Sequence, residues 1–202
     1  DFDPAAMEAK VKARFGDWQG RGPAGADPDI GNLDYKRAAA ADDFVDPAIQ
    51  DSVTVAAFRP WVIEPDTKAK RARNLAEEIG EAIVGRRPAK IALEENSPIF
   101  AGYFNDAEGW KVFDQITIGA VAKEGAWKEA LALVEQELRR ATQFGFTQAE
   151  VNEQLANRRT AFKNAVAGVT TRRSDGLADA LIEAADGDFV FTRPETGQAL
   201  FE

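Results

Sequence analysis

Histidine and cysteine are both absent from the 202-residue sequence. Tetrahedral zinc sites use imidazole or thiolate ligands, and the usual general base near pH 7 is imidazole, so most hydrolytic machinery is excluded from this chain. A bound metal would have to sit among carboxylates, which suits magnesium or calcium. Disulfides, thiolate nucleophiles and iron–sulfur sites are excluded as well. We therefore expect no catalytic residue, no metal site and no cofactor within the chain itself.

Basic residues are outnumbered by acidic ones, 25 to 34, which gives a net charge of −9 and a sequence pI near 4.8. This charge repels a phosphate backbone, so we expect no nucleic-acid partner. No apolar run approaches the roughly 20 residues that cross a bilayer, so we expect no membrane insertion. With 45% hydrophobic and 29% charged residues, the chain can bury a sizeable core.

The amino-terminal part is predicted to be separate from the rest. Asp3 is a favourable N-cap and Pro4 a favourable first helical residue, which predicts a helix from Pro4 to Phe15. The glycine-rich residues 20–25 that follow are typical of a flexible connector. Because the sequence begins without methionine and ends without a stop signal, we expect a piece of a longer polypeptide. Residues 1–25 are then the tail helix and linker of a preceding domain, and residues 26–202 are a domain.

Four β-prone segments predict two hairpins, each with an antiparallel pair of strands. The segments are residues 38–45 and 53–58, joined by a turn at 46–48, and residues 99–104 and 111–121, joined by a turn at 105–109. Together they predict a sheet of about four strands.

Helical segments separate and follow these hairpins. One is predicted to begin at Pro65 and to be kinked or interrupted at Pro88, which lacks a backbone donor. A second has an apolar stripe that begins at Trp127, which we interpret as a core residue. Thr147 and Glu150 form a capping box that starts a third, and residues 175–185 form a fourth. The element order predicts an α+β fold, a two-layer sandwich with helices packed on a roughly four-stranded antiparallel or mixed sheet.

Four sets of residues have a recognisable pattern: 1–4 with 15–18, 50–53 with 58–60, 86–98, and 137–150. These phrases resemble the pitrilysin or insulinase-like zinc metallopeptidases. The resemblance implies the metallohydrolase fold of the mitochondrial processing peptidases, and a non-catalytic, C-terminal-type domain of a large bacterial member. The family's chemistry needs an inverted zinc motif, His-x-x-Glu-His, for which this sequence has no histidine. The resemblance implies that the zinc ligands of the parent enzyme lie upstream of this chain.

The function that this resemblance implies is structural support of proteolysis. The chain would help to enclose and position a peptide substrate, its partners would be neighbouring domains of the same parent chain, and its location would be the bacterial periplasm. The alternative is a stand-alone interaction or assembly protein that shares the processing-peptidase fold. The length of the natural open reading frame, and a His-x-x-Glu-His motif upstream, would distinguish the two.

Four residues are candidates for substrate binding: Arg86, Arg87, Tyr103 and Trp110. Related domains place an arginine and a tyrosine near substrate, whereas the alternative is a solvated, ion-paired helix face for the arginines and a core or hairpin role for Tyr103. Trp110, at a predicted hairpin turn, is a candidate for an exposed contact. Acidic residues near the turns, Asp106 and Asp114 among them, could supply a pair of carboxylates, although ordinary surface acids are the favoured interpretation.

Overall fold

The computed structural model describes residues 2–23, 25–26, 28–29, 31–186 and 189–202. Asp1 and Ala24 of the predicted segment 1–25 lie outside the described residues. So do residues 27, 30, 187 and 188 of the predicted domain 26–202. The chain forms two compact units, Asp1–Asn32 and Leu33–Glu202. The assignment of residues 1–25 to a preceding domain stays a prediction.

The smaller unit contains one helix, in agreement with its local sequence signals. The side chain of Asp3 accepts hydrogen bonds from the backbone amides of Ala5 and Ala6, and so caps two donors that the first turn leaves free. The helix then runs to Phe15, as predicted.

The larger unit consists of a three-stranded antiparallel sheet and five further helices among the described residues. The order of the strands across the sheet is β1 (Ser52–Pro60), β3 (Phe113–Ala122) and β2 (Ile99–Gly109), so β3 is central and β1 and β2 are the edges. The elements formed by the described residues are α1 Pro4–Phe15, β1 Ser52–Pro60, α2 Lys68–Ile91, β2 Ile99–Gly109, β3 Phe113–Ala122, α3 Trp127–Phe144, α4 Gln148–Ala167, α5 Ser174–Asp186 and α6 Pro194–Phe201, with a short 3₁₀ helix at Val169–Thr171.

The core lies between one face of the sheet and helices α2 and α3. Ile99, Ile118 and Ala120 of the sheet are buried against Val84 of α2 and Val134 of α3. Helix α4 packs on α2, and α6 packs on α4. The predicted α+β class with helices on the sheet is confirmed, and the number of strands is three rather than four.

The predicted strand at residues 38–45 is wrong, and so is its pairing with the segment that follows. The described structure has no strand there, and Phe44 and Val45 are exposed. Strand β1 pairs instead with β3, in the register Ser52↔Val121 to Pro60↔Phe113. The local sequence of β1 does not identify a partner strand some 60 residues away, so the neighbouring apolar segment was wrongly predicted to pair with it.

The second hairpin is confirmed, but its turn lies later than predicted. Strand β2 continues through residues 105–109, and the turn lies at Trp110 and Lys111. The polar Asp106 is accommodated inside the strand because Arg59 of β1 donates to it at 3.2 Å, and to Asp114 of β3 at 3.2 Å. The ion pairs give these strand carboxylates the partners that a turn would otherwise find in water.

Pro88 does not interrupt α2, contrary to the prediction. The helix continues for one more turn, to Ile91, and the ring of Pro88 is buried against β2 at Gly102. A Cβ atom on Gly102 would lie 2.4 Å from the Cβ of Pro88, so only glycine gives this ring its space.

Two further expectations about helices are corrected. Trp127 is not a core residue: it is the first residue of α3 and 47% exposed, and the buried positions of that helix are Ala130, Val134 and Glu137. Helix α6 was not predicted at all. Pro194 begins it at the favourable first position.

Candidate functional site

Arg87 is a buried connector between α2 and the start of α4. It is 7% exposed, and its Nε and Nη2 atoms donate to the two carboxylate oxygens of Glu150 at 2.8 and 3.1 Å. Nη2 also donates to the carbonyl oxygen of Gly145 at 3.0 Å. The guanidinium lies 5.3 Å from the ring centroid of Phe146. The planar guanidinium of Arg87 thus binds the Glu150 carboxylate in the bidentate geometry that arginine forms with carboxylates, and it also contacts the loop before α4.

Glu150 is held in its ionised form by these neighbours. It accepts from the backbone amide of Thr147 at 2.8 Å, in the capping box that the sequence predicts, in addition to its pair with Arg87. The hydrogen bond from Arg87, and those from Thr147, lower the pKa of Glu150 from 4.5 to about 2. Arg87 and Glu150 therefore act as a fixed internal pair between two helices.

Arg86, the next residue of α2, has a different environment. Its Nε donates to Glu153 of α4 at 3.1 Å, and its side chain is 48% exposed. Lys90 donates to the same glutamate at 3.2 Å. This is the solvated, ion-paired helix face that the sequence analysis weighed for the arginine pairs.

Tyr103 lies on the opposite face of the sheet from the helices. Its neighbour Gly102 faces Pro88 of α2, and side chains alternate along a strand. The Tyr103 ring crosses the central strand above Gly119, and its hydroxyl lies 3.1 Å from the hydroxyl of Thr54 on β1. A Cβ atom on Gly119 would be 2.5 Å from that ring, so the tyrosine covers a position that only glycine leaves free.

Trp110 lies at the tip of the β2–β3 hairpin and is 85% exposed. Trp110 and Lys111 have φ angles of 48° and 59°, and the amide of Val112 donates to the carbonyl of Gly109 at 2.9 Å. Positive φ at both central residues is the requirement of a type I′ turn, which glycine and asparagine satisfy more easily than bulky residues do. The fold thus holds a large aromatic side chain in solvent at a disfavoured backbone conformation.

The four sequence candidates are not brought together. Arg86 and Arg87 contact α4, Tyr103 contacts β1 on the other face of the sheet, and Trp110 lies at the hairpin tip. Tyr103 and the arginines of α2 lie on opposite faces of the sheet. Whether any of the four binds substrate stays a prediction.

A continuous outer sheet face surrounds Tyr103. We define the outer sheet face as the side-chain positions that alternate with the core positions of the three strands. Thr54, Phe58 and Tyr103 are exposed on its two edges, and Gln115 and Thr117 lie between them on β3, with a hydrogen bond of 3.0 Å from Gln115 to Thr117. The outer sheet face includes Thr54, Ala56, Phe58, Tyr103, Asn105, Gln115, Thr117 and Gly119.

The free edge of β1 completes this surface. Asp51 accepts from Ala122 at 2.7 Å, and Trp61 donates to Val112 at 3.2 Å, so the odd-numbered residues of β1 are those that bond to β3. In an antiparallel ladder the alternate residues direct their amide and carbonyl groups outward. The backbone groups of residues 54, 56 and 58 therefore face the open edge and can accept an added strand.

Sequence reasoning did not find this surface, because it depends on the register of strands that lie far apart in the chain. Thr54 comes close to Tyr103 only because both residues lie opposite Gly119 of the central strand. As for metals, no group of three or more aspartates and glutamates within the described residues is arranged to hold an ion. Asp106 and Asp114, two of the acidic residues considered as possible carboxylate ligands, both form ion pairs with Arg59.

No family model matches the chain, and no curated protein matches its sequence. Solved structures do match. The first half of the periplasmic protease PqqL from Escherichia coli superposes with a TM-score of 0.72 and 17% identity, over 100% of this chain and 43% of that one. A predicted insulinase family protease from Yersinia pestis gives a TM-score of 0.75 and 17% identity, over 98% and 43%. The chain has the insulinase-like protease fold.

The insulinase-like fold predicted from the sequence phrases is thereby confirmed. The ferredoxin protease FusC, solved in complex with Arabidopsis ferredoxin, is a more distant match with a TM-score of 0.54 and 14% identity, over 100% of this chain and 22% of that one. The chain spans less than half of the length of these solved proteins. Among the described helices, none combines the length and the apolar character that a membrane crossing requires.

Proposed function

We propose that this chain is the part of an insulinase-like zinc protease that encloses and positions a peptide, while the zinc lies elsewhere in the parent protein. The fold it shares with parts of insulinase family proteases supports a protease-related role. The complete absence of histidine and cysteine supports a part that contributes no zinc ligand. The match to a periplasmic protease favours a periplasmic parent, with neighbouring domains of that parent as the partners.

The single observation that carries the proposal is the open edge of β1 beside the outer sheet face. An extended peptide can add to β1 as a fourth strand, with backbone hydrogen bonds that do not depend on the peptide sequence. The exposed ring of Phe58 lies beside the same edge, and it packs edge-on against Phe113 at 5.3 Å between ring centroids. It offers apolar contact to alternate peptide side chains.

Such a surface supports catalysis through position alone. A peptide held in an extended conformation has already lost the freedom that the reaction would otherwise have to remove, and walls around it exclude bulk water. The chemical step itself, attack by a zinc-activated water with a glutamate as base, requires groups from the rest of the parent.

The test compares two substitutions at one position of the β1 edge. Ala56→Pro removes an outward amide and leaves the bonds of β1 to β3 intact, whereas Ala56→Val keeps that amide and serves as the matched control. Binding of a fluorescein-labelled extended decapeptide is measured by anisotropy, and hydrogen exchange maps its contact. We expect protection of β1 and about tenfold weaker binding for Ala56→Pro only. Equal binding by both variants, or no binding by the unmodified chain, would contradict the proposal.

A further inference from the structure

A cleft of about 850 Å³ opens on the helical side of the larger unit, between α2, α4, α5 and α6. This volume is in the range of sites that bind small molecules or short peptide segments. Its floor is apolar and rich in aromatic rings. The floor consists of Phe162, Leu177, Phe189, Phe191, Leu200 and Phe201.

Arg71 of α2 fixes one wall of this cleft. Its Nε donates to Asp66 at 2.7 Å, and its two Nη atoms donate to the carbonyl of Val190 at 2.7 Å and to the hydroxyl of Thr192 at 3.0 Å. The guanidinium also lies 5.4 Å from the ring centroid of Phe189. The segment before α6 is thus tied to α2, which keeps its aromatic residues at the cleft.

The rim of the cleft has the opposite charge to the chain as a whole. Six lysines and arginines line it against two carboxylates, in a chain whose net charge is −9. The six are Lys68, Lys70, Arg71, Arg172, Arg173 and Arg193.

Within the part of the chain that the structure describes, Lys68, Arg172 and Arg193 form no ion pair with a carboxylate, whereas Lys70 lies close enough to Glu64 and Asp66 to lower the pKa of both carboxyls. Arg71 pairs with Asp66 and Arg173 with Asp175, whereas Lys70 donates to the carbonyl of Glu64 at 2.9 Å and Arg172 to that of Val169 at 3.3 Å. An excess of cations over carboxylates beside an apolar floor, in an acidic chain, provides charge complementarity for an anion.

We propose that this cleft binds a carboxylate carried on an aromatic or aliphatic body. The body would be removed from water against the phenyl rings, and the carboxylate would accept hydrogen bonds from the rim guanidinium groups. A free organic acid and the carboxyl terminus of a peptide that ends in an apolar residue share this chemistry. This site is separate from the open edge of β1 and does not depend on the function proposed above.

The experiment is calorimetric titration of the 202-residue chain with four probes: decanoate, decyltrimethylammonium, and the tripeptide acetyl-Ala-Ala-Phe with either a free carboxylate or a terminal amide. We expect binding of at least one carboxylate probe, with no binding of the cation or the amide. Decanoate alone would identify a free acid as the source, and the tripeptide acid alone a peptide terminus. Binding should weaken as salt rises from about 0.02 to 0.5 M. Equal binding of charged and neutral tripeptides, or none by either carboxylate, overturns the proposal.

Variants locate the binding within the chain. Arg172→Gln with Arg193→Gln removes two exposed rim charges and should weaken carboxylate binding about fivefold. Arg37→Gln with Arg139→Gln makes the same charge change at residues of the larger unit that do not line the cleft, and should leave binding unchanged. Ala165→Trp adds bulk at the lining and should abolish binding while the unfolding midpoint stays within a few degrees. Unchanged affinity in both the charge variant and the bulk variant would overturn the proposal even if decanoate binds.

Discussion

Two neighbouring arginines of α2 give the sharpest test of the packing described above. Arg87→Met keeps an unbranched apolar stem in the interior and removes the guanidinium that joins Glu150 and Gly145. Arg86→Met makes the same chemical change one residue earlier, where the side chain is half exposed. The two variants are therefore matched in chemistry and in helix, and they differ in burial.

The expected cost of Arg87→Met is about 3 kcal/mol of unfolding free energy. Removing one partner of a buried ion pair costs roughly 3–5 kcal/mol. We expect the lower end because Glu150 keeps 20% of its side-chain surface exposed and retains its bonds from Thr147. The Nη1 atom of Arg87 is also buried without a partner, so its removal relieves one unsatisfied donor. Arg86→Met should cost less than about 1 kcal/mol.

Urea unfolding at pH 7, followed by far-ultraviolet circular dichroism, measures both variants. An unchanged slope of unfolding free energy against urea concentration would indicate that the surface area exposed on unfolding is the same in both variants. The double variant Arg87→Met with Glu150→Gln should lose less than the two single variants together, because no carboxylate is left without its partner. If Arg86→Met and Arg87→Met agree within about 0.5 kcal/mol, the description of Arg87 as a buried connector is refuted.

Three further predictions follow from individual contacts. The pKa of Glu150 is about 2 in the folded chain and 4.5 in the unfolded chain, so this residue stabilises the fold above pH 4.5 and the stabilisation is lost as pH falls toward 2. Glu150→Gln should therefore make the free energy of unfolding, measured with urea, less dependent on pH across that range. Gly102→Ala should destabilise the fold by about 1–3 kcal/mol through its clash with Pro88, measured in the same way, and no loss would contradict the close approach. Burial, and then the charge and hydrogen bond of Asp106, raise the pKa of Glu81, so Glu81→Gln should raise the thermal midpoint at pH 7, and a lower midpoint would argue against that environment.

Local signals in the sequence predicted several helices well. The Asp3 cap and the Thr147–Glu150 box each act within one turn, and Gly145 ends α3 with a φ of 68°, which glycine adopts without strain. Such features are encoded within a few residues, so their position in the chain is enough to identify them.

Features that depend on distant partners were not accessible from the sequence. Because β1 pairs with β3, residues 38–45 have no strand partner. Because Gly102 has no side chain, there is room for the ring of Pro88 inside helix α2. The candidate site divides in the same way. Arg87 and Tyr103 were found as residues, but the sheet that separates them could not be predicted from their spacing.

The most direct test of the central claim is a hydrolysis assay of the purified chain. A quenched fluorescent peptide is incubated with the chain at neutral pH, with and without added zinc, under conditions in which the anisotropy measurement detects peptide binding. The account predicts binding without cleavage in both cases, because the sequence has no histidine or cysteine that could bind zinc. Cleavage that depends on zinc and copurifies with the chain would contradict it.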